Sequence, residues 1–528
     1  MDANAVTLSL YVTGIAGVLV VQSRTKLEDP AGDAEMAEAA GATGQKPVKT
    51  VTDTAALTKG FRHLAGLCLV LAYAWVCDRS GSALGLSQTS KRFDGGIAVL
   101  AVLAVAVPYA ASFEPQGKSA GFLGNGQTDE WKGWMQIFLV FYHYLFPSPQ
   151  PLAVYVTARI VVASFLFMTG YGRTMSAMKR AADFSFYTLC SMMLRLNLFV
   201  ILLAAVMGRQ FCDYYFSPLV TFWSLFYYAL HTLGRAWSPA QRIAFAAVVC
   251  AMLSINAARR PGRLSVARLL FEPVSFLVSS PVTSLDTWLF RCQLDCFSPL
   301  MGAIVALNTD RINTLLTTIE GAPPAKQRLM TSALAAGGLV AMGAWVRLVA
   351  SVEAGAQVLG QSCAVDQQCS QWKKCATSAD PAGCVAARAA QEEYNYSYHS
   401  VLCVVPVLAF VLARNLTPWL RARASTVVAF WGQRSLEIYL LQYHVWLSSN
   451  AARILVVLPG RPVMNACVVF AGFLAAADVA HRCTSGVAGV LLAQKFQLPG
   501  SPRLWAAGAG LAYAGLCARM LLARDVVL

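Results

Sequence analysis

Charge is scarce in this chain: 13% of its 528 residues are Asp, Glu, Lys or Arg, against 57% that are apolar. An ordinary soluble domain carries about twice that share of charge, so a soluble globular fold is excluded. The familiar catalytic signatures are missing too. There is no Walker loop, no dinucleotide fingerprint after a strand and no His-Glu-x-x-His, which removes the readings those motifs carry. Asp478 and His481 have the Asp-x-x-His spacing of hydrolases that pair it with a Gly-Asp-Ser block, but no such block exists and the match reads as chance. Nor is there a heptad array or an internal repeat of the kind that builds many transporters.

What fills the chain is apolar sequence, with a mean hydropathy of +0.53. Runs long enough to cross a bilayer of about 30 Å recur at 5–22, 62–78, 95–112, 131–146, 152–170, 185–207, 216–233, 241–257, 264–281, 328–352, 396–413, 425–447, 463–480 and 503–522, with a short one at 297–307. The expectation is an all-α polytopic bundle of about 12 to 14 helices. Residues 1–22 read as a retained membrane anchor, since Asp2 is the one early charge and no clear cleavage site follows. Residues 23–60 read as a flexible polar loop, and 61–528 as one multi-pass unit with a cysteine-bearing loop at 354–395. The net charge of +15 is scattered between apolar runs, which suits anionic lipid headgroups and a polyanionic small molecule and argues against nucleic acid.

Most of the fifteen cysteines are dispersed in apolar runs, but Cys363, Cys369, Cys375 and Cys384 share one polar loop. An even set in a short loop is a disulfide framework if the loop is luminal. A zinc site is not expected there, for want of a Cys-x-x-Cys pair or a suitably spaced His, and no metal is expected elsewhere. The sequon at Asn395 fits a luminal side. The basic loop bearing Arg414, Arg421 and Arg423 follows one helix later and belongs to the cytoplasm, which leaves the second sequon, at Asn415, unused.

Polar residues inside apolar runs are expensive and mark function. Asp129, Gln136 and His143 are spaced seven apart and form one stripe on a helix, drifting only about 20° per step. Gln433, Glu437 and His444, at i, i+4 and i+11 within 431–446, share a face of a second helix. Arg195 and Asn197 sit within the run 185–207 and imply a cavity or an acidic partner; Arg291 and Asp295, at i and i+4, are expected to pair.

The block Thr128-Asp129-Glu130-Trp131-Lys132-Gly133-Trp134-Met135-Gln136, followed by Tyr142-His143-Tyr144, resembles the signature of the multi-pass O-acetyltransferases that include the plant reduced-wall-acetylation proteins, the fungal capsule O-acetylation protein and the vertebrate sialate O-acetyltransferase. Further blocks agree in order: 168–172, 183–185, Arg195-Leu196-Asn197, Tyr214-Tyr215 with Pro218, Arg291 with Leu294-Asp295, Arg414-Asn415, Ser435-Leu436-Glu437-Ile438-Tyr439 with Gln442-Tyr443-His444-Val445-Trp446, and Gly460 with Pro462 and Asn465. Val220 and Cys296 stand where the family usually has His and Arg. The short insert at 23–60 makes the chain similar to the plant type, which lacks a luminal hydrolase-like domain.

The resemblance implies Golgi membranes, cytosolic acetyl-CoA as donor and a hydroxyl of a luminal glycan as acceptor. Acyl transfer to a hydroxyl needs a base and an oxyanion donor. His444 is expected as the base, with Glu437 orienting it or the sugar and His143 as the second candidate. Asp129, Glu130, Lys132, Trp134, Gln136, Gln442, Arg291 and Asp295 are expected along the substrate path, and Arg195 with Asn197 at the thioester oxygen. Arg414, Arg421 and Arg423 are expected contacts for the CoA phosphates. A flippase of an acetyl donor or glycan precursor is the rival from another class, and a scaffold feeding a separate luminal acetyltransferase is a second.

Overall fold

The computed structural model describes residues 54–79, 86–117, 121–179, 184–255, 285–366, 375 and 380–491. The runs expected at 5–22, 264–281 and 503–522 lie outside the described residues. Helix α1 (Thr54–Asp78) leads through β1 (Ser87–Ser90) to α2 (Gly95–Ala111), β2 (Phe113–Pro115) and α3 (Asn125–Leu145). Then come α4 (Leu152–Lys179), α5 (Phe186–Met207), α6 (Phe216–Leu233) and α7 (Pro239–Ile255). After 256–284 follow α8 (Leu285–Leu294), α9 (Phe297–Leu307), α10 (Thr309–Glu320), the 43-residue α11 (Pro324–Asp366), α12 (Pro381–Glu393) and α13 (Val404–Asn415). The chain closes with β3 (Arg423–Ser425), α14 (Thr426–Gln433), α15 (Ser435–Leu441), β4 (Leu447–Ser448), β5 (Arg453–Val456) and α16 (Pro462–Leu491).

Six of the described helices are long and apolar enough to cross a membrane, or seven if the bent pair Ala382–Leu402 and Val404–Asn415 is one span. Helix α1 starts at Thr54, inside the segment expected as loop, because Ala55, Ala56 and Leu57 are strong helix formers.

Two small antiparallel sheets mark the ends of the bundle. Strands β1, β5 and β4 pair at one end, with Ser87 opposite Val456 and Leu447 opposite Ile454; β2 and β3 pair at the other, with Phe113 opposite Ser425. Helix α2 joins the two sheets directly, so its 17 residues span about 25 Å from one end to the other. The first end carries Asp78, His143 and His444. The second carries Arg414, Arg421 and Arg423.

Helices α3 and α14 cross at glycine. A Cβ on Gly133 would lie 1.9 Å from the carbonyl oxygen of Val428, and one on Gly432 would lie 1.7 Å from that of Asp129. Further along, the Trp446 indole donates to the carbonyl of Val140 at 3.0 Å, so the two elements run the same way across the bundle. The chain 431–446 is not one helix. At Arg434 the backbone N–H donates to Trp431 and the guanidinium takes the orphaned carbonyl of Phe430 at 2.9 Å, which makes a break. Residues Gln442–Trp446 then form a π-helical turn. The stripe expected from Gln433 to His444 therefore splits, since one face of a continuous helix no longer connects them.

Helix α11 reaches about 65 Å at 1.5 Å per residue and packs against α12, where Cys375 and Cys384 are joined by a disulfide. Cys369 and the side chain of Cys363 lie outside the described residues. The Asn395 sequon is a correction: Asn395 is 8% exposed and its amide donates to the Tyr155 hydroxyl at 2.8 Å, leaving no room for a glycan.

Candidate active site

Two cavities meet inside the bundle. One, of about 290 Å³, lies toward the β1 end and is lined by Gln136, His143, Tyr155, Arg159, Tyr215, Arg291, Tyr439 and Tyr443 among others. The second, of about 620 Å³, lies toward the β2 end and is lined by Asn125, Thr128, Lys132, Thr169, Arg173, Ser176 and Ser435. Phe165 and Phe216 belong to both walls, with ring centroids 5.1 Å apart in an edge-to-face pair. Helix α4 lines the whole route. From Tyr155 through Phe165 to Arg173 it covers about 27 Å, close to the hydrocarbon thickness of a bilayer.

Of the expected α3 stripe, Gln136 and His143 line the smaller cavity while Asp129 lines neither; Lys132, on the same helix, lines the larger. His143 is held in one tautomer. The Gln442 amide nitrogen donates to the carbonyl of Tyr439 at 3.0 Å, which turns its oxygen to Nδ1 of His143 at 3.2 Å. An amide oxygen only accepts, so Nδ1 carries the proton and Nε2 keeps the lone pair. Gln442, expected to touch substrate, thus orients an imidazole that lines the cavity.

His444 lines neither cavity, contrary to expectation. It is fully buried, with Nε2 at 2.7 Å from the Tyr214 hydroxyl and Nδ1 at 3.1 Å from a carboxylate oxygen of Asp78. This ties the end of α1 to the 211–214 turn and fixes the π-helical turn that presents Gln442 and Tyr443. Glu437 does not orient it. That carboxylate is buried and pairs with Arg195 at 2.6 Å, and Arg195 also reaches Ser485 at 2.9 Å and His481 at 2.7 Å. Arg195 thus has its acidic partner and does not face the cavities. Asn197 spends its amide on Met193 and the Thr221 hydroxyl, tying α5 to α6.

At the β2 end, Glu130 is a fastener. Its carboxylate accepts from Arg414 at 3.1 and 3.3 Å and from the backbone N–H of Ser425 at 2.6 Å. Arg414 also donates to the carbonyls of Leu420 and Arg423, so its guanidinium is not free for a phosphate. Arg421 pairs with Glu320, and Arg423 stacks over Trp419 at 4.8 Å. Asp129 holds Lys132 at 2.6 Å and accepts from Gln433 at 3.3 Å, while Trp134 packs on Phe410.

Arg291 and Asp295 do not pair. The break between α8 and α9 after Leu294 turns them apart: Arg291 lies over the Tyr215 ring at 3.8 Å beside the smaller cavity, and Asp295 bonds His399 at 2.8 Å. Sequence reasoning missed Asp78, Arg159 and His481. Asp78 ends an apolar run like any helix-terminal carboxylate and did not stand out, whereas Arg159 lies inside the run 152–170 and carried the same signal as Arg195, a charge within an apolar run. The Asp478-to-His481 spacing set aside as chance belongs to two contacts, Asp478 to Arg434 at 2.6 Å and His481 to the Arg195–Glu437 pair.

No solved structure matches the chain. It is 28% identical over 436 residues to the N-acetylneuraminate (7)9-O-acetyltransferase of Danio rerio, covering 81% of this chain and 50% of that protein. The chain thus spans about half the length of the curated relative it matches. Residues 3–379 and 382–498 match the 10 TM acyl transferase domain found in Cas1p. With most of its length covered by that match, this multi-pass membrane protein belongs to the Cas1p-type acyltransferase family.

Proposed function

We propose that the chain transfers acetyl from cytosolic acetyl-CoA to a sugar hydroxyl on the far side of a Golgi-type membrane. The observation that carries this reading is the pair of cavities that share Phe165 and Phe216 on their walls. The larger lies at the end bearing the basic 414–423 loop, and its Lys132 and Arg173 suit the anionic donor. The smaller is lined by tyrosines, two guanidiniums and the Asp213 carboxylate, a wall of net positive charge that suits a carbohydrate bearing a carboxylate. The name of the Danio rerio relative specifies such a sugar.

In this reading His143 is the base. Its Nε2 takes the proton of the acceptor hydroxyl as that oxygen attacks the thioester carbon; the carbon–sulfur bond breaks, and the CoA thiolate leaves and is protonated. His444 is a positioning residue, acting through the π-helical turn that holds Gln442.

The test is purified full-length protein in nanodiscs with labelled acetyl-CoA and a panel of neutral and acidic oligosaccharides. His143→Gln is expected to cut kcat by about 10²- to 10⁴-fold, the usual worth of a general base. Undiminished turnover in folded His143→Gln would remove His143 from the mechanism, and a chain that takes up acetyl-CoA without ever acetylating a sugar would instead be a feeder or transporter.

A further inference from the structure

A second polar cluster lies away from both cavities' contents, where three helix irregularities converge. Asp295 occupies the break between α8 and α9. His399 ends the π-helical turn Tyr394–His399, and Cys403 stands at the 49° bend before α13. One oxygen of Asp295, one ring nitrogen of His399 and the sulfur of Cys403 lie within 4.8 Å of one another, and all three residues are 0% exposed.

The local hydrogen bonding does not satisfy this cluster. The His399 Nε2 and Asp295 Oδ1 are 2.8 Å apart, yet the other oxygen of Asp295 and the Nδ1 of His399 are buried without a partner. The thiol of Cys403 has a long contact of 3.7 Å to the Ser400 carbonyl. An enclosed carboxylate with one oxygen unpaired is among the costliest groups a membrane bundle can hold. A proton on His399 would leave its Nδ1–H an orphaned donor, so a proton alone does not complete the site.

We propose that Asp295, His399 and Cys403 bind a divalent transition metal of the zinc class. His399 and Cys403 are one helical turn apart, with the Cys403 backbone N–H donating to the His399 carbonyl at 2.9 Å, and an i, i+4 pair on a helix is a standard chelate for zinc. Asp295 supplies the third ligand from a neighbouring helix. A carboxylate, a thiolate and a divalent cation sum to zero charge, which suits an interior that excludes ions. Binding releases the Cys403 thiol proton to solvent and forms the metal–sulfur bond, with no redox change. The ion would pin the bent α12–α13 region to the α8–α9 break, whose other flank carries Arg291 at the smaller cavity. Its role is structural and independent of the acetyl-transfer reading.

The test is metal content of the purified full-length protein after dialysis against a weak chelator, together with cobalt replacement. About one equivalent of zinc is expected in the wild type, as for a structural site, and less than a tenth of that in Cys403→Ser and Asp295→Asn. Cys296→Ser, a buried neighbour outside the set, is expected to keep its metal. In the cobalt-loaded wild type a near-ultraviolet thiolate-to-cobalt charge-transfer band is expected, and this reading needs no variant to fold. Absence of retained metal in the wild type, equal retention in all variants, or a cobalt spectrum without the thiolate band would each overturn the site.

Discussion

At the scale of single residues, the polar groups of the bundle divide into those that face a cavity and those that hold helices together. Sequence position does not distinguish them. Glu130 and Arg414 are both almost fully buried and complete each other's charge, so removing one partner strands the other in a low-dielectric interior. Arg414→Ala is expected to cost about 3–5 kcal/mol of stability, read as a lowered Tm and loss of monodisperse protein, while Glu130→Gln with Arg414→Met together restores part of it. Arg291, by contrast, has no carboxylate within ion-pair distance among the described residues and lies over Tyr215 at the cavity wall. Arg291→Ala should leave Tm nearly unchanged and raise KM for an acidic acceptor about tenfold or more, the value of a charge-assisted contact, with little effect on a neutral one. Equal effects on both acceptors would show that the guanidinium does not read a carboxylate.

At the scale of elements, the decisive features are breaks and close crossings. The hydrophobic runs were legible because apolar length is a strong signal, and the polar stripe of α3 was legible because that helix is unbroken from Asn125 to Leu145. The stripe drawn through Gln433, Glu437 and His444 failed for a local reason. Arg434 and Gln442 each spend a side chain on a backbone carbonyl, and these two bonds accompany a break and a π-helical turn that apolar periodicity does not report. The shift moves His444 out of the cavity and brings Gln442 onto His143. Gly133 and Gly432 are the other constraint at this scale. Either one replaced by Ala drives a Cβ into opposing backbone, so each variant is expected to lose about 1–3 kcal/mol as an overpacked contact. Thermal unfolding in detergent would show it, and an unchanged Tm in both variants would mean that the helices separate freely at this point.

At the scale of the molecule, the fold sets two cavities against a shared pair of rings. The apolar runs carried the membrane architecture. The route between the ends was not visible, because its walls come from α3, α4, α6 and α15, whose facing residues are far apart in sequence. Phe165 and Phe216 stand between the two cavities, the proposed donor and acceptor sites. Phe165→Ala and Phe216→Ala are expected to raise acceptor-independent hydrolysis of acetyl-CoA several-fold relative to transfer, as water reaches the thioester. Hydrolysis and transfer measured on the same nanodisc sample give that ratio, and an unaltered ratio would show that the rings do not separate the substrates.

The same pair of rings bears on something other than catalysis. A polar route that reached both faces of a bilayer would also be a conduit for protons and salts, which any membrane holding a pH difference must keep shut. Two edge-to-face phenylalanines present no oxygen or nitrogen to replace an ion's hydration shell, so the pair closes the narrow point between the two cavities to hydrated ions.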